Sequence, residues 1–192
     1  MRRTGEVPYV PEEPSGAAEE RLGIVIPVPE PLSGELGRAR ASYDDPLAAV
    51  VAPHITLVTG GSTDDLDGAT AHVRAVAAAT APFTVRLHGT GTFRPVSPVV
   101  YLELAEGADA CAQLHHRLLE GPLEAEPTFD YHPHVTLAQE VAEACLDRAM
   151  ADMAGFTAEF RVDTIGLFQT DASGLWALRE ELPLGRGTEA PH

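Results

Sequence analysis

The chain has 192 residues, enough for one domain or two small lobes sharing a core, and 44% of them are hydrophobic, as in an ordinary globular protein. The formal net charge of −16 repels long polyanions, and no basic cluster stands out beyond Arg38 and Arg40, so extended nucleic acid is not an expected partner. All 13 basic residues are arginine, which excludes lysine Schiff bases, lysyl adenylates and the lysine of a P-loop.

The opening stretch, "MRRTGEVPYVPEEPSG", lacks the apolar run of a secretory signal, and its prolines and glutamates predict a flexible tail over residues 1–20. The apolar run "RLGIVIPVP" begins the first half, followed by a predicted helix near 33–45 and the strand "HITLV". A helix is expected across "STDDLDGATAHVRAVAAAT". Ser62 and Asp65 make its capping-box-like start, and Leu66, Val73 and Val76 its apolar face. "APFTVRLHGTGTF" then alternates as a strand does. The second half opens with the strand "VVYLELAEG" and the helix "ADACAQLHHRLLEGP", with Cys111, Leu114 and Leu118 on one side and Gly121–Pro122 as stop signals. His115 and His116 diverge on that helix and are expected on a solvated face. The strand "HVTLA", a helix over "VAEACLDRAMADMAG", an alternating "GFTAEFRVDTIGLF" and a last strand "LWALREELPL" complete the pattern. Residues 185–192 predict a second flexible tail. No run approaches the roughly 18 apolar residues of a membrane span. With only two cysteines, Cys111 and Cys145, a disulfide framework is not expected, and a cytoplasmic protein with reduced core thiols is.

The two halves match in order: "HITL" returns as "HVTL", and "APFTVRL" resembles "AGFTAEF". Two copies are too few for a solenoid. They predict an α+β, bilobed, duplicated fold over 21–184: two mainly antiparallel sheets, helices outside, and a central cleft on a pseudo-two-fold axis.

Residues two apart in a strand share a face. His54 and Thr56 therefore face one way and Ile55 and Leu57 the other, and His134 and Thr136 oppose Val135 and Leu137 likewise. If the lobes face each other, two imidazoles and two hydroxyls converge. One neutral histidine can take a proton from an attacking water or hydroxyl while the other, protonated, gives one to the leaving oxygen. The threonine hydroxyls can donate to the non-bridging phosphate oxygens. This arrangement requires no metal. Eight histidines and 15 threonines in 192 residues yield about 0.6 H-x-T by chance. His88 and Thr90 are such a case, flanked by glycines instead of aliphatic anchors and expected to be ordinary strand residues.

With these motifs the sequence resembles the two-histidine phosphoesterase superfamily, especially its 2′-5′ RNA ligase-like and cyclic phosphodiesterase branch. That family carries one H-x-[T/S]-aliphatic motif per lobe, matched by His54/Thr56 and His134/Thr136. The N-terminal apolar strand, Phe93 closing the first lobe and the final "GLWALREELPL" extend the likeness over 21–184. The resemblance implies acid–base chemistry on 2′,3′-cyclic phosphates or related phosphodiesters, with no metal and no cofactor. The acidic chain departs from the basic surface expected of RNA-handling members and favours a small nucleotide or an RNA-terminal cyclic phosphate. Ligation by an RNA 5′-hydroxyl, and a non-catalytic nucleotide-binding module on the same scaffold, are the alternatives.

Three further residues are substrate-binding candidates: Arg94 for a bidentate phosphate contact, and Phe93 and Tyr131 for stacking on a base. His132 forms H-x-H with His134, and it is expected to shape the second motif instead of holding a metal.

Overall fold

The structure, a computed structural model, describes residues 21–123, 130–170 and 176–185. In chain order the elements are β1 (Arg21–Pro27), α1 (Leu32–Ser42), β2 (His54–Ser62), α2 (Leu66–Ala78), β3 (Phe83–Thr92) and β4 (Val99–Glu106). Then come α3 (Ala108–Leu119), β5 (His134–Gln139), α4 (Glu143–Met153), β6 (Thr157–Val162), β7 (Thr164–Thr170) and β8 (Trp176–Pro183). The expected tails over 1–20 and 186–192 lie outside the described residues. Gly185, placed with the second tail, is held by its N–H on the Ala77 carbonyl at 3.0 Å.

The elements follow local chemistry with small displacements. Ser62 ends β2 instead of capping a helix; Asp65 caps α2, its Oδ1 accepting from the Gly68 N–H at 2.8 Å. The alternating stretch after α4 breaks at Asp163 into β6 and β7. On α3, His115 does not face solvent. It is buried beside Cys111, Leu114 and Leu118, while His116 is exposed.

All neighbouring strands are antiparallel and form one sheet in the order β6-β3-β4-β5-β2-β1-β7-β8. The two expected sheets are thus halves of one, joined where β2 meets β5. Read from both ends, the order is symmetric: β5 answers β2, β4 answers β1, β3 answers β7 and β6 answers β8. The likeness of "APFTVRL" to "AGFTAEF" does not follow this axis. Those segments are β3 and β6, hydrogen-bonded neighbours with Phe83 opposite Val162 and His88 opposite Thr157. Strands have instead crossed over between the halves, β3 pairing with β4 and β7 with β1. The helices cross as well. α1 packs against β5, and α3 against β2 and β4. The buried residues of all four helices join those of the strands in one hydrophobic core.

The central seam is short. Ile55 pairs with Val135, the one registered pair between β2 and β5 among the described residues. Counting outward, the next opposed residues are Thr56 with His134 and His54 with Thr136, then Leu57 with Pro133 and Pro53 with Leu137. No further pair is registered between these two strands on either side of that rung among the described residues, and the central strands diverge from it into a cleft.

The segment entering β2 is fixed from below. Arg40, at the end of α1, donates from Nε to Asp45 Oδ2 at 2.9 Å and from Nη1 to the Val51 carbonyl at 2.7 Å. Asp45 Oδ1 accepts from the Leu47 N–H at 2.9 Å. Both partners are almost wholly buried, at 3% and 0% side-chain exposure, so removing one strands the other's charge. Asp45→Ala should lower the unfolding free energy by about 3–5 kcal/mol, read from the urea midpoint. A loss below about 1 kcal/mol would show the pair to be solvent-screened.

Candidate active site

In both motifs the aliphatic residues are anchors. Ile55, Leu57, Val135 and Leu137 are at most 1% exposed, and each such side chain contributes about 1.5–3 kcal/mol by burial. His54, Thr56, His134 and Thr136 are half-buried on the opposite face and line the same cleft.

The leucine of each motif is also a bulge. Along β1, Val25 pairs with Thr56 and Ile24 with Val58, leaving Leu57 as an extra residue. Along β4, Tyr101 pairs with Thr136 and Val100 with Ala138, leaving Leu137 in the same position. An extra residue bends its strand and re-aims neighbouring side chains. It explains why two successive residues are buried in each strand, Leu57 with Val58 and Leu137 with Ala138. The last four letters of the repeated P-H-[I/V]-T-L therefore have a structural reading: an imidazole, an anchor, a hydroxyl, and a bulge.

The two imidazoles are held alike. His54 Nδ1 lies 2.8 Å from the Ala52 carbonyl, and His134 Nδ1 lies 2.7 Å from the His132 carbonyl. A carbonyl only accepts, so Nδ1 carries the proton in each ring, and Nε2 is left as the atom that exchanges one. Burial pushes the His54 pKa below the usual histidine value; the Ala52 carbonyl opposes this, and the Arg40 guanidinium adds to it. Burial lowers His134 too, against the pull of the His132 carbonyl and with the help of the His132 and His54 charges.

The cleft has a volume of about 1430 Å³, above the usual 300–1,000 Å³ of a small-ligand pocket. Its described charged lining consists of Arg21, Arg40 and Asp130, beside four histidines. The overall acidity of the chain is therefore not concentrated among the described residues of the cleft.

Phe93 lies edge-on to His134, with ring centroids 5.0 Å apart, and Tyr101 is tilted against the same ring at 5.1 Å. His132, exposed at the cleft, stands beside both aromatics. Among the described residues no group of three or more His, Cys, Asp or Glu is placed to hold a metal ion. Tyr131 lines the cleft, but its ring stacks on His115 at 4.0 Å and its hydroxyl donates to the Thr56 carbonyl at 2.9 Å. Arg94 is not brought to the cleft. Its guanidinium is drawn to α4, with Nη1 on Glu143 at 2.7 Å and Asp147 at 2.8 Å. His88 is exposed on β3, opposite Thr157 and away from the cleft lining.

Sequence reasoning missed Tyr101 and His115. Tyr101 is visible only through its register opposite Thr136. His115 had a signal: it falls four residues after Cys111 and three before Leu118, on the apolar stripe of a helix.

This geometry has known counterparts. Residues 28–174 match the model of the 2′-5′ RNA ligase superfamily. A Bacillus licheniformis protein whose name assigns it provisionally to the phosphoesterases is 30% identical over 174 residues, covering 86% of this chain and 99% of its own. A Bacillus thuringiensis protein with the same assignment is also 30% identical, over 87% of this chain and 98% of its own. Among solved structures, Escherichia coli LigT complexed with 3′-AMP superposes with a TM-score of 0.63 at 20% identity, covering 86% of this chain and 98% of that one. TT0787 of Thermus thermophilus superposes with a TM-score of 0.60 at 22% identity, over 88% of this chain and 100% of that one. Antiparallel sheet, paired motifs and extended similarity agree, and the chain belongs to the 2′-5′ RNA ligase superfamily, the two-histidine phosphoesterases.

Proposed function

We propose that this protein hydrolyses 2′,3′-cyclic phosphates, or small cyclic nucleotide phosphodiesters, by paired-histidine acid–base catalysis without a metal. The observation that carries the reading is the matched pair of imidazoles, each with Nδ1 committed to a carbonyl and Nε2 left for the cleft. Water attacks phosphorus as the neutral imidazole takes its proton at Nε2. The P–O bond to one ribose oxygen breaks, and that oxygen receives a proton from Nε2 of the other, charged imidazole. The roles exchange when the reaction runs backwards. The hydroxyls of Thr56 and Thr136 donate to the non-bridging oxygens, where charge concentrates.

The cleft volume accommodates a nucleotide, and Phe93, Leu47 and Val96 give its mouth apolar surface on which a base can rest. The net charge of −16 favours such a guest over a long RNA. LigT, of the same fold, has been crystallised with 3′-AMP and with phosphate, which are chemically close to the proposed product and to its reacting group.

With nucleoside 2′,3′-cyclic monophosphates and EDTA, turnover should persist. His54→Ala and His134→Ala should each lower kcat by about two orders of magnitude or more, and Thr56→Ala and Thr136→Ala by less. His88→Ala should match wild type. Loss of turnover on chelation, or wild-type rates without either motif histidine, would overturn the reading.

The pH dependence follows from the lowered pKa values. Catalysis needs one imidazole neutral and one charged, and burial places both below the usual value near 6.5 in the empty cleft. The singly protonated pair is then populated only on the acid side of that value. Because kcat/KM reports the free enzyme, it should peak below about pH 6.5. A bound phosphodiester anion favours the charged ring, so kcat should peak at higher pH than kcat/KM. A kcat/KM optimum in the alkaline range would contradict the assignment.

A further inference from the structure

The Leu57 bulge leaves a buried carbonyl outside the β1 ladder, and an α3 side chain meets it. His115 Nδ1 lies 2.7 Å from the Leu57 carbonyl and, facing an acceptor, donates to it. One residue earlier, the Thr56 carbonyl accepts from the Tyr131 hydroxyl at 2.9 Å. The donors brace each other, their rings stacked at 4.0 Å with an interplanar angle of 6°. Burial raises the Tyr131 pKa, so the hydroxyl keeps the proton it donates.

Tyr131 lies three residues before His134, within the segment that leads into β5. Its hydrogen bond therefore crosses the seam from the second motif to the backbone of the first, beside the rung between Ile55 and Val135. The symmetric position, three residues before His54, is Val51, which has no side-chain donor. There Arg40 donates to the Val51 backbone instead. Among the described residues the cross-seam bond is thus built on one side of the pseudo-two-fold only.

From this geometry we infer that Tyr131 and His115 are positioning residues: together they fix the bulged backbone at Thr56–Leu57 and so set where His54 and Thr56 stand relative to His134. Tyr131 acts here through its hydroxyl and not as a stacking surface for a base. The kinetic arm of the test rests on the acid–base reading above; its spectroscopic arm rests on geometry alone.

The variants are Tyr131→Phe, which removes only the hydroxyl, His115→Leu, which removes the donor and the stacked imidazole, and His115→Asn, whose amide can place a donor where Nδ1 stood. Tyr131→Phe and His115→Leu should lower kcat on a nucleoside 2′,3′-cyclic monophosphate by about 10- to 100-fold, the scale of a misplacement near 1 Å. KM should stay within about twofold, since the loss concerns alignment and not binding. His115→Asn should recover most of the rate. In imidazole NMR spectra of the unliganded protein, the His54 ring signals should move in Tyr131→Phe and His115→Leu and return close to wild type in His115→Asn. Folded Tyr131→Phe protein with unchanged His54 signals and unchanged kcat would overturn the inference. If the wild type turns over no cyclic phosphate while the His54 signals move as described, the proposed reaction fails and the positioning role stands.

Discussion

Among the described residues the two central strands meet through one registered rung, Ile55 with Val135. The remaining features of the site depend on that narrow contact. With the registered seam confined to Ile55 and Val135, the middle of the sheet is held mainly by the outer neighbours of its central strands, β1 and β4. The sheet can open at its centre without leaving either strand unpaired on both sides. The residues flanking the single rung are the ones with chemistry to offer, each histidine standing across from the other motif's threonine.

The opening is lined so that the imidazoles are easy to discharge and costly to charge. Phe93 and Tyr101 crowd the His134 ring, and Arg40 adds its field at His54. An anionic guest reverses this preference, because it brings the countercharge that burial withholds. On the proposed reaction, proton uptake and substrate capture would share one physical cause. The acidity of the chain as a whole does not oppose it, since among the described lining residues the only carboxylate is Asp130.

Much of this was legible in the sequence, and what escaped has identifiable causes. Alternation in "HITL" and "HVTL" sorted anchors from cleft residues because it depends only on the geometry of a strand. The likeness of "APFTVRL" to "AGFTAEF" misled because local similarity carries no information about which strands pair, and these two pair with each other. Arg94 was a reasonable anion ligand by residue type, but two carboxylates four residues apart on α4, Glu143 and Asp147, hold it elsewhere. The bulges at Leu57 and Leu137 leave only a faint trace in the sequence, a second consecutive apolar residue where alternation calls for a polar one. Adjacent residues diverge on a helix, so the His115–His116 pair does not itself tell which ring is buried; the stripe with Cys111 and Leu118 does, and it takes His115.

The crossing of β3 and β7 between the halves bears on how the molecule can be assembled. Val25 of the first strand is opposed by Gly166, 141 residues further along the chain. During synthesis the amino-terminal half would therefore emerge with one flank of its sheet bare until the segment around Gly166 follows it. Neither half therefore has a sheet built from its own strands alone. If such a chain arose by fusing two copies of a shorter ancestor, that ancestor would already have exchanged strands with its twin.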